Sequence, residues 1–177
     1  MDNYLDKERD LEETIEKYSN IVFRTSFLLL RNKQDTDDVL QETFYQYWIN
    51  ENEFASEEHK KAWLLRVSQN KCKNILKYKK IHSYVSFHDI EERVLGSAPK
   101  KSEDIEELLS LSNLNNKYKS VIMLFYLEGY SIEETAEILE ITPSAVKKRL
   151  QRGREKLKSF FEKYDEEGGC LNEIGQL

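Results

Sequence analysis

Cysteine, proline and glycine are all scarce in this 177-residue chain, at two, two and six residues. Cys72 and Cys170 lie far apart and form no CxxC, so neither a disulfide framework nor a zinc knuckle is expected. The shortage of glycine and proline disfavours collagen-like, linker-like and turn-dense all-β architectures. Long apolar runs are missing as well. The longest, residues 21–30, is interrupted by Arg24, Thr25 and Ser26, and a membrane-spanning helix needs roughly 20 apolar residues. The first residues, Met1-Asp2-Asn3-Tyr4, carry no basic segment leading into an apolar stretch, so no signal peptide is expected and the protein reads as cytoplasmic. Histidines 59, 82 and 88 with Cys72 match no common metal-ligand spacing, and no phosphate-binding glycine loop or nucleophile motif is present. An enzyme, a cofactor and a bound metal are therefore not expected.

What is abundant is charge, and it is distributed in blocks. Hydrophobic residues make up 39% and charged residues 34%, a balance suited to a helix-rich protein. The net charge of −6 argues at first against a nucleic-acid binder. Resolved along the chain, residues 1–60 carry −8, 61–82 carry +7, 83–140 carry −7, 141–163 carry +6 and 164–177 carry −4. Two compact basic blocks between acidic stretches point to two polyanion-facing surfaces.

Apolar residues recur at spacings of three and four, and no strict alternation persists, so the chain reads as all-α. Leu11, Ile15, Tyr18, Val22 and Leu29 mark one helical stripe. Asp35-Thr36-Asp37-Asp38 supplies an acidic start, favourable against the helix dipole, for a helix through Val39, Leu40, Phe44, Tyr47 and Trp48. A polar stretch over 50–60 precedes a helix over 61–80. Residues 83–109, with Gly96-Ser97-Ala98-Pro99, read as a flexible linker, although a helix through Leu108 and Leu111 is expected near its end. Beyond it come a helix over 121–127, a break at Gly129, a capping box at Ser131-Ile132-Glu133-Glu134, and a last helix opened by Thr142-Pro143. Two small helical domains, 1–82 and 110–163, followed by an acidic tail over 164–177, are the expected organisation.

Residues 131–155, SIEETAEILEITPSAVKKRLQRGRE, have the spacing of a helix-turn-helix. Ala136, Leu139, Ile141, Val146 and Leu150 would form its shared core, with Leu157 facing the same way. Lys147, Lys148, Gln151 and Arg152 then face outward together, offering cations for phosphates and donors and an amide for base edges in the major groove. Glu140 stands at a turn position where many such motifs carry glycine. In the first basic block, Arg66, Asn70, Lys73 and Lys77 fall at i, i+4, i+7 and i+11, one polar stripe opposite Leu64 and Ile75. Cations and amides beside exposed aromatics, Phe54 and Trp63, suit unstacked single-stranded DNA. A two-component regulator would explain residues 115–157, but its receiver domain needs strands that residues 1–80 do not suggest. A helical adaptor protein would differ in directing no transcription.

The segments DTDDVLQETFYQYW, KAWLLRVSQNKCKNILKYKK and LNNKYKSVIMLFYLEGYSIEETAEILEITPSAVKKRLQRGREKL together resemble the bacterial sigma-70 family in its extracytoplasmic-function group. The resemblance covers roughly residues 12–82 and 110–161. It implies a two-domain transcription initiation factor whose partners are core RNA polymerase, promoter DNA and an anti-sigma factor. By position, Asp37, Asp38, Val39, Leu40, Gln41, Glu42 and Phe44 match the helix that docks on the polymerase clamp. Phe54 and its neighbours match the loop that captures a flipped minus-ten base. Asn70 and Asn74 match polar positions on the adjoining DNA-facing helix, where Trp63, Arg66, Lys73 and Lys77 are placed with them. Lys147, Lys148, Gln151 and Arg152 match the minus-thirty-five readers. The turn after Phe54 is Ala55-Ser56-Glu57-Glu58-His59, where family members often carry an Arg-Gly-rich sequence.

Overall fold

The structure, a computed structural model, describes the backbone of residues 2–50, 53–82 and 114–166, and all described elements are helices. The expected linker over 83–109, the helix through Leu108 and Leu111, and the tail beyond residue 166 lie outside the described residues. The chain divides into two compact units. The first contains helices α1 (Asp2–Leu30), α2 (Lys33–Ile49) and α3 (Glu57–His82). The body of the second is α4 (Asn116–Ile122), which continues as a π-helical turn (Met123–Leu127), then α5 (Ile132–Leu139) and α6 (Pro143–Glu166).

In the first unit, α1, α2 and α3 pack on one another around two apolar clusters. Tyr18, Val22, Phe44, Tyr47 and Leu64 form one; Leu29, Leu30, Val39 and Cys72 form the other. Each fully enclosed side chain, such as Val22 or Leu64, contributes about 1.5–3 kcal/mol relative to exposure. The expected α1 stripe needs one correction: Ile15 is exposed, and the neighbouring Thr14 is buried in its place. Helix α1 also begins nine residues before Leu11. Between α1 and α2 the chain turns through Arg31 at φ 51°, its N–H donating to the Phe27 carbonyl at 2.8 Å. Asn32 then caps α2, accepting from the Asp35 N–H at 2.9 Å, so the helix starts two residues before the acidic run.

Helix α3 starts at Glu57, inside the stretch expected to be non-helical. Ser56 caps it, its Oγ accepting from the His59 N–H at 3.1 Å, and Glu57 and Glu58 favour the positive end of the helix dipole. Burial pushes the Cys72 thiol up to about 11, so this cysteine behaves as a small apolar residue.

In the second unit α4 packs on α6 at Gly153. A Cβ there would stand 2.7 Å from Ile122 Cδ1, so a larger residue would push the end of that side chain aside. Gly129, at φ 73°, ends the π-helical segment, with the Tyr130 N–H donating to the Leu124 carbonyl. The capping box at α5 is reciprocal: the Ser131 N–H donates to Glu134 Oε2 at 2.8 Å and the Glu134 N–H to Ser131 Oγ at 3.2 Å. Glu140 occupies the left-handed region at φ 54°; its N–H donates to the Glu137 carbonyl, and that of Ile141 to Ala136. This is a Schellman ending built on glutamate, at a cost of about 1 kcal/mol relative to glycine. Thr142 caps α6 through the Ala145 N–H, with Pro143 at the first helical position.

Candidate nucleic-acid and polymerase interfaces

The α6 face is the simplest of the three candidate surfaces. Val146 and Leu150 are buried, which turns Lys147, Lys148, Gln151 and Arg152 to solvent, and all four are exposed. The core beneath differs in detail from expectation. Ala136 is buried as foreseen, but Leu139 and Ile141 are only half-buried and Ile138 takes the interior place on α5. Two of the four exposed residues have neighbours within the unit. Gln151 donates through Nε2 to Glu155 Oε1 at 3.0 Å. A carboxylate can only accept, so the amide nitrogen faces Glu155 and the amide oxygen is left to face outward. The Arg152 guanidinium lies beside the Tyr118 hydroxyl: burial opposes ionisation there, but Lys117 and then Arg152 bring the hydroxyl below its ordinary value.

The second surface is the solvent side of α3. Lys73, Asn74 and Lys77 are exposed, while Arg66 and Asn70 are half-buried along the same stripe. The basic block is divided between two jobs. Lys71 reaches Glu42 of α2 at 2.7 Å and Lys79 pairs with Asp35, tying α3 to α2. Lys73 and Lys77 carry no ion pair among the described residues.

At the N-terminal end of α3 the ring system corrects the expectation of exposed aromatics. Phe54 and Trp63 are both half-buried against the first core cluster. The Phe54 ring stacks on Tyr47 at 5.9 Å and 15°, and it meets Trp63 at 5.8 Å and His59 at 5.5 Å in edge-on geometry. Trp63 in turn meets Tyr47 edge-on at 6.2 Å. Such pairs add about 0.5–1.5 kcal/mol each beyond area burial. Phe54 is therefore a half-open ring on a packed aromatic base.

The third surface is α2. Of the seven positions proposed for docking, Val39 and Phe44 are buried in the core, and Asp37, Leu40 and Glu42 are half-buried. Asp38 and Gln41 are exposed. Glu42 is held below the usual carboxylate range, first by Lys71 and then by Gln46, so it serves the α2–α3 contact. Sequence reasoning missed Tyr45 and Ile49, exposed on α2 at i+4 and i+8 from Gln41. Their signal was two large apolar side chains on the helix face that the core stripe leaves outside.

Comparison with known proteins agrees with this division. The family model for sigma-70 region 2 matches residues 14–81, and that for sigma-70 region 4 matches residues 105–157. The chain belongs to the sigma-70 family, in its extracytoplasmic-function group. Among its relatives is the extracytoplasmic-function RNA polymerase sigma factor SigW of Bacillus subtilis strain 168. It is 28% identical over 163 residues, covering 82% of this chain and 86% of SigW. SigM of the same organism is 26% identical over 162 residues, covering 85% of this chain and 94% of SigM. Similar solved folds include the sigma factor RpoE in complex with the anti-sigma factor NepR from Bartonella quintana. Its TM-score is 0.67 at 20% identity, covering 87% of this chain and 98% of that one. CnrH in complex with the cytosolic domain of CnrY gives a TM-score of 0.62 at 22% identity, covering 88% and 89%. Region 2 thus falls on the unit with the ring system and the α3 stripe, and region 4 on the unit with the helix-turn-helix. Among the described residues no helix is long and apolar enough to cross a membrane, and no group of three or more metal-ligating side chains is assembled.

Proposed function

We propose that this sigma factor works in the cytoplasm, directs core RNA polymerase to its promoters through residue-specific contacts on three surfaces, and acts as an initiation factor without catalysis or cofactor of its own. Asp38 and Gln41, with Asp37, Leu40 and Glu42 behind them, form the polymerase-docking face of α2; Val39 and Phe44 hold that helix from within. Phe54 receives an unstacked minus-ten base. Arg66, Asn70, Lys73, Asn74 and Lys77 follow the adjoining strand, and Trp63 supports the Phe54 ring. Lys147, Lys148, Gln151 and Arg152 read the minus-thirty-five element. Residues 1–82, 110–163 and the segments 83–109 and 164–177 are taken as domains, linker and tail. A protein inhibitor completes the set of partners, by analogy with the NepR-bound relative.

The observation that carries this reading is a half-buried aromatic ring, Phe54, at the head of a helix that exposes Lys73, Asn74 and Lys77. A base can stack on such a ring only after the duplex opens. The test is run-off transcription by the full chain with core polymerase over a library of promoter sequences, followed by permanganate reactivity on the selected promoter. Phe54→Ala and Asn70→Ala should leave closed-complex affinity nearly unchanged and reduce thymine reactivity, and a premelted bubble template should restore part of the transcript. Failure of the closed complex without bubble rescue would remove the single-strand role. For the docking face, Asp38→Lys with Gln41→Lys should weaken pull-down of core enzyme while helical circular dichroism stays intact.

A further inference from the structure

The turn that carries Phe54 is tethered by polar contacts to a helix that takes no part in the surfaces described above. Glu57, one residue past the cap of α3, places Oε2 2.6 Å from Lys17 Nζ and 2.8 Å from the Tyr18 hydroxyl, both on α1. Its other oxygen lies 3.4 Å from Lys60 Nζ. The Lys60 side chain is only 13% exposed and reaches back to Asp10 Oδ1 of α1 at 3.1 Å, with its ammonium 5.7 Å from the centroid of the Tyr47 ring. The Tyr47 hydroxyl donates to the other Asp10 oxygen at 2.5 Å. Asp10 therefore fixes both the ring on which Phe54 stacks and the lysine one turn into α3.

These ties border a cavity of about 400 Å³ whose lining includes Asp10, Tyr47, Phe54, Ser56, Glu57 and Lys60. The space beside the turn is thus not filled by apolar side chains. Phe54 stacks on Tyr47 and meets Trp63 edge-on, but the turn that carries it is held by charge on the cavity side. The turn where family members often have an Arg-Gly-rich sequence is here built on a half-exposed glutamate whose two carboxylate oxygens are engaged by Lys17, Tyr18 and Lys60.

We propose that Glu57 and Lys60, with Asp10 and Lys17 as their partners on α1, are positioning residues for strand opening: an ionic clamp that holds the Phe54 turn at the register in which its ring receives the base. The clamp rests on the assignment of Phe54 to base capture. Exposed ion pairs of the Lys17–Glu57 kind add little to global stability, so its loss is read in opening rather than in folding. Asp10 and Lys17 are then as much a part of promoter melting as any residue that touches DNA.

The test compares the full chain and its variants, each with core polymerase on one promoter chosen by run-off selection. Closed-complex affinity, helical circular dichroism and permanganate reactivity are measured on duplex and premelted templates. Glu57→Gln and Lys60→Met should each lower duplex opening several-fold with closed-complex affinity unchanged. The premelted template should recover transcript, and Lys60→Arg should open like the parent. Phe54→Ala run in parallel separates the two failures. If it opens normally, the base-capture assignment fails and the clamp falls with it. If it is defective while Glu57→Gln and Lys60→Met open like the parent, the clamp alone is overturned. Should both clamp variants lose helical content, Lys17→Met, which removes one exposed arm and leaves Tyr18 and Lys60 on Glu57, decides: reduced opening supports the clamp, and parental opening refutes it.

Discussion

The two units hold the residues proposed to face DNA in opposite ways. On α6, Lys147, Lys148, Gln151 and Arg152 project from a helix already secured by Val146 and Leu150, so no reading residue is part of the core. In the first unit Phe54 and Trp63 stand half inside the core, Phe54 stacked on Tyr47 and Trp63 edge-on to it, and the exposed part of Phe54 is the candidate base platform. A face that reads duplex edges needs long polar side chains free to adapt. A site that receives an unstacked base needs a flat apolar surface held still, and the core supplies that rigidity most directly. Under the proposed assignments, recognition and stability are separable in one unit and joined in the other.

The sharpest way to break this comparison is to truncate both kinds of residue and measure stability beside function. Phe54→Ala should cost about 2 kcal/mol in denaturant unfolding of the first unit, below the ~3–5 kcal/mol of a fully buried ring because Phe54 is half-open. An unfolding curve that does not move would show that the platform is not structural. Gln151→Ala and Arg152→Ala should leave unfolding within about 0.5 kcal/mol of the parent. Each should instead change base preference in the upstream element by about 1–3 kcal/mol, read from run-off selection. A large stability loss in either would contradict the separation.

Smaller effects sharpen it. Glu140→Gly should raise the stability of the protein by up to about 1 kcal/mol, because φ 54° carries a Cβ penalty that glycine escapes. Thermal unfolding reads this directly, and a fall would mean that the glutamate side chain contributes more than its backbone costs.

The smallest expected effect is one of pH. Lys17, and then Tyr18, hold the Glu57 carboxyl at about 2, well below its ordinary value of 4.5. A folded-state value depressed in this way gives a contribution that is complete above about 4.5 and lost as pH falls toward 2. The side chain is about half exposed, so solvent screens the effect to a small fraction of what the same shift would mean in the interior. The difference in stability between parent and Glu57→Gln should shrink over that window and be constant above it.

Much of the second unit was legible because its signals are local. The Ser131–Glu134 capping box, the Thr142-Pro143 start and the Gly129 break each depend on residues within a few positions, and each forms at the expected place. The outward arc on α6 follows from helical periodicity once Val146 and Leu150 face in. Less of the first unit could be read. The start of α3 was hidden because Ser56-Glu57-Glu58 resembles any polar loop until its cap is seen. Ile15 and Leu139 were assigned inward by spacing alone, whereas Thr14 and Ile138 hold the interior. Several spacings fit a helix of 3.6 residues per turn, and the neighbouring helices select among them.

The sequence by itself determined the helical class, the two charge blocks, the caps of α5 and α6 and the family, since these rest on composition, periodicity and short-range hydrogen bonding. Only the tertiary structure decided which aromatics are shared between core and surface, which lysines of the basic block are spent on α2, and where Glu57 points. Tyr47 meets Asp10 across 37 positions, Lys17 meets Glu57 across 40, and Lys60 meets Asp10 across 50. Such pairs are chosen by how three helices pack, and no property of the individual residues announces the choice beforehand.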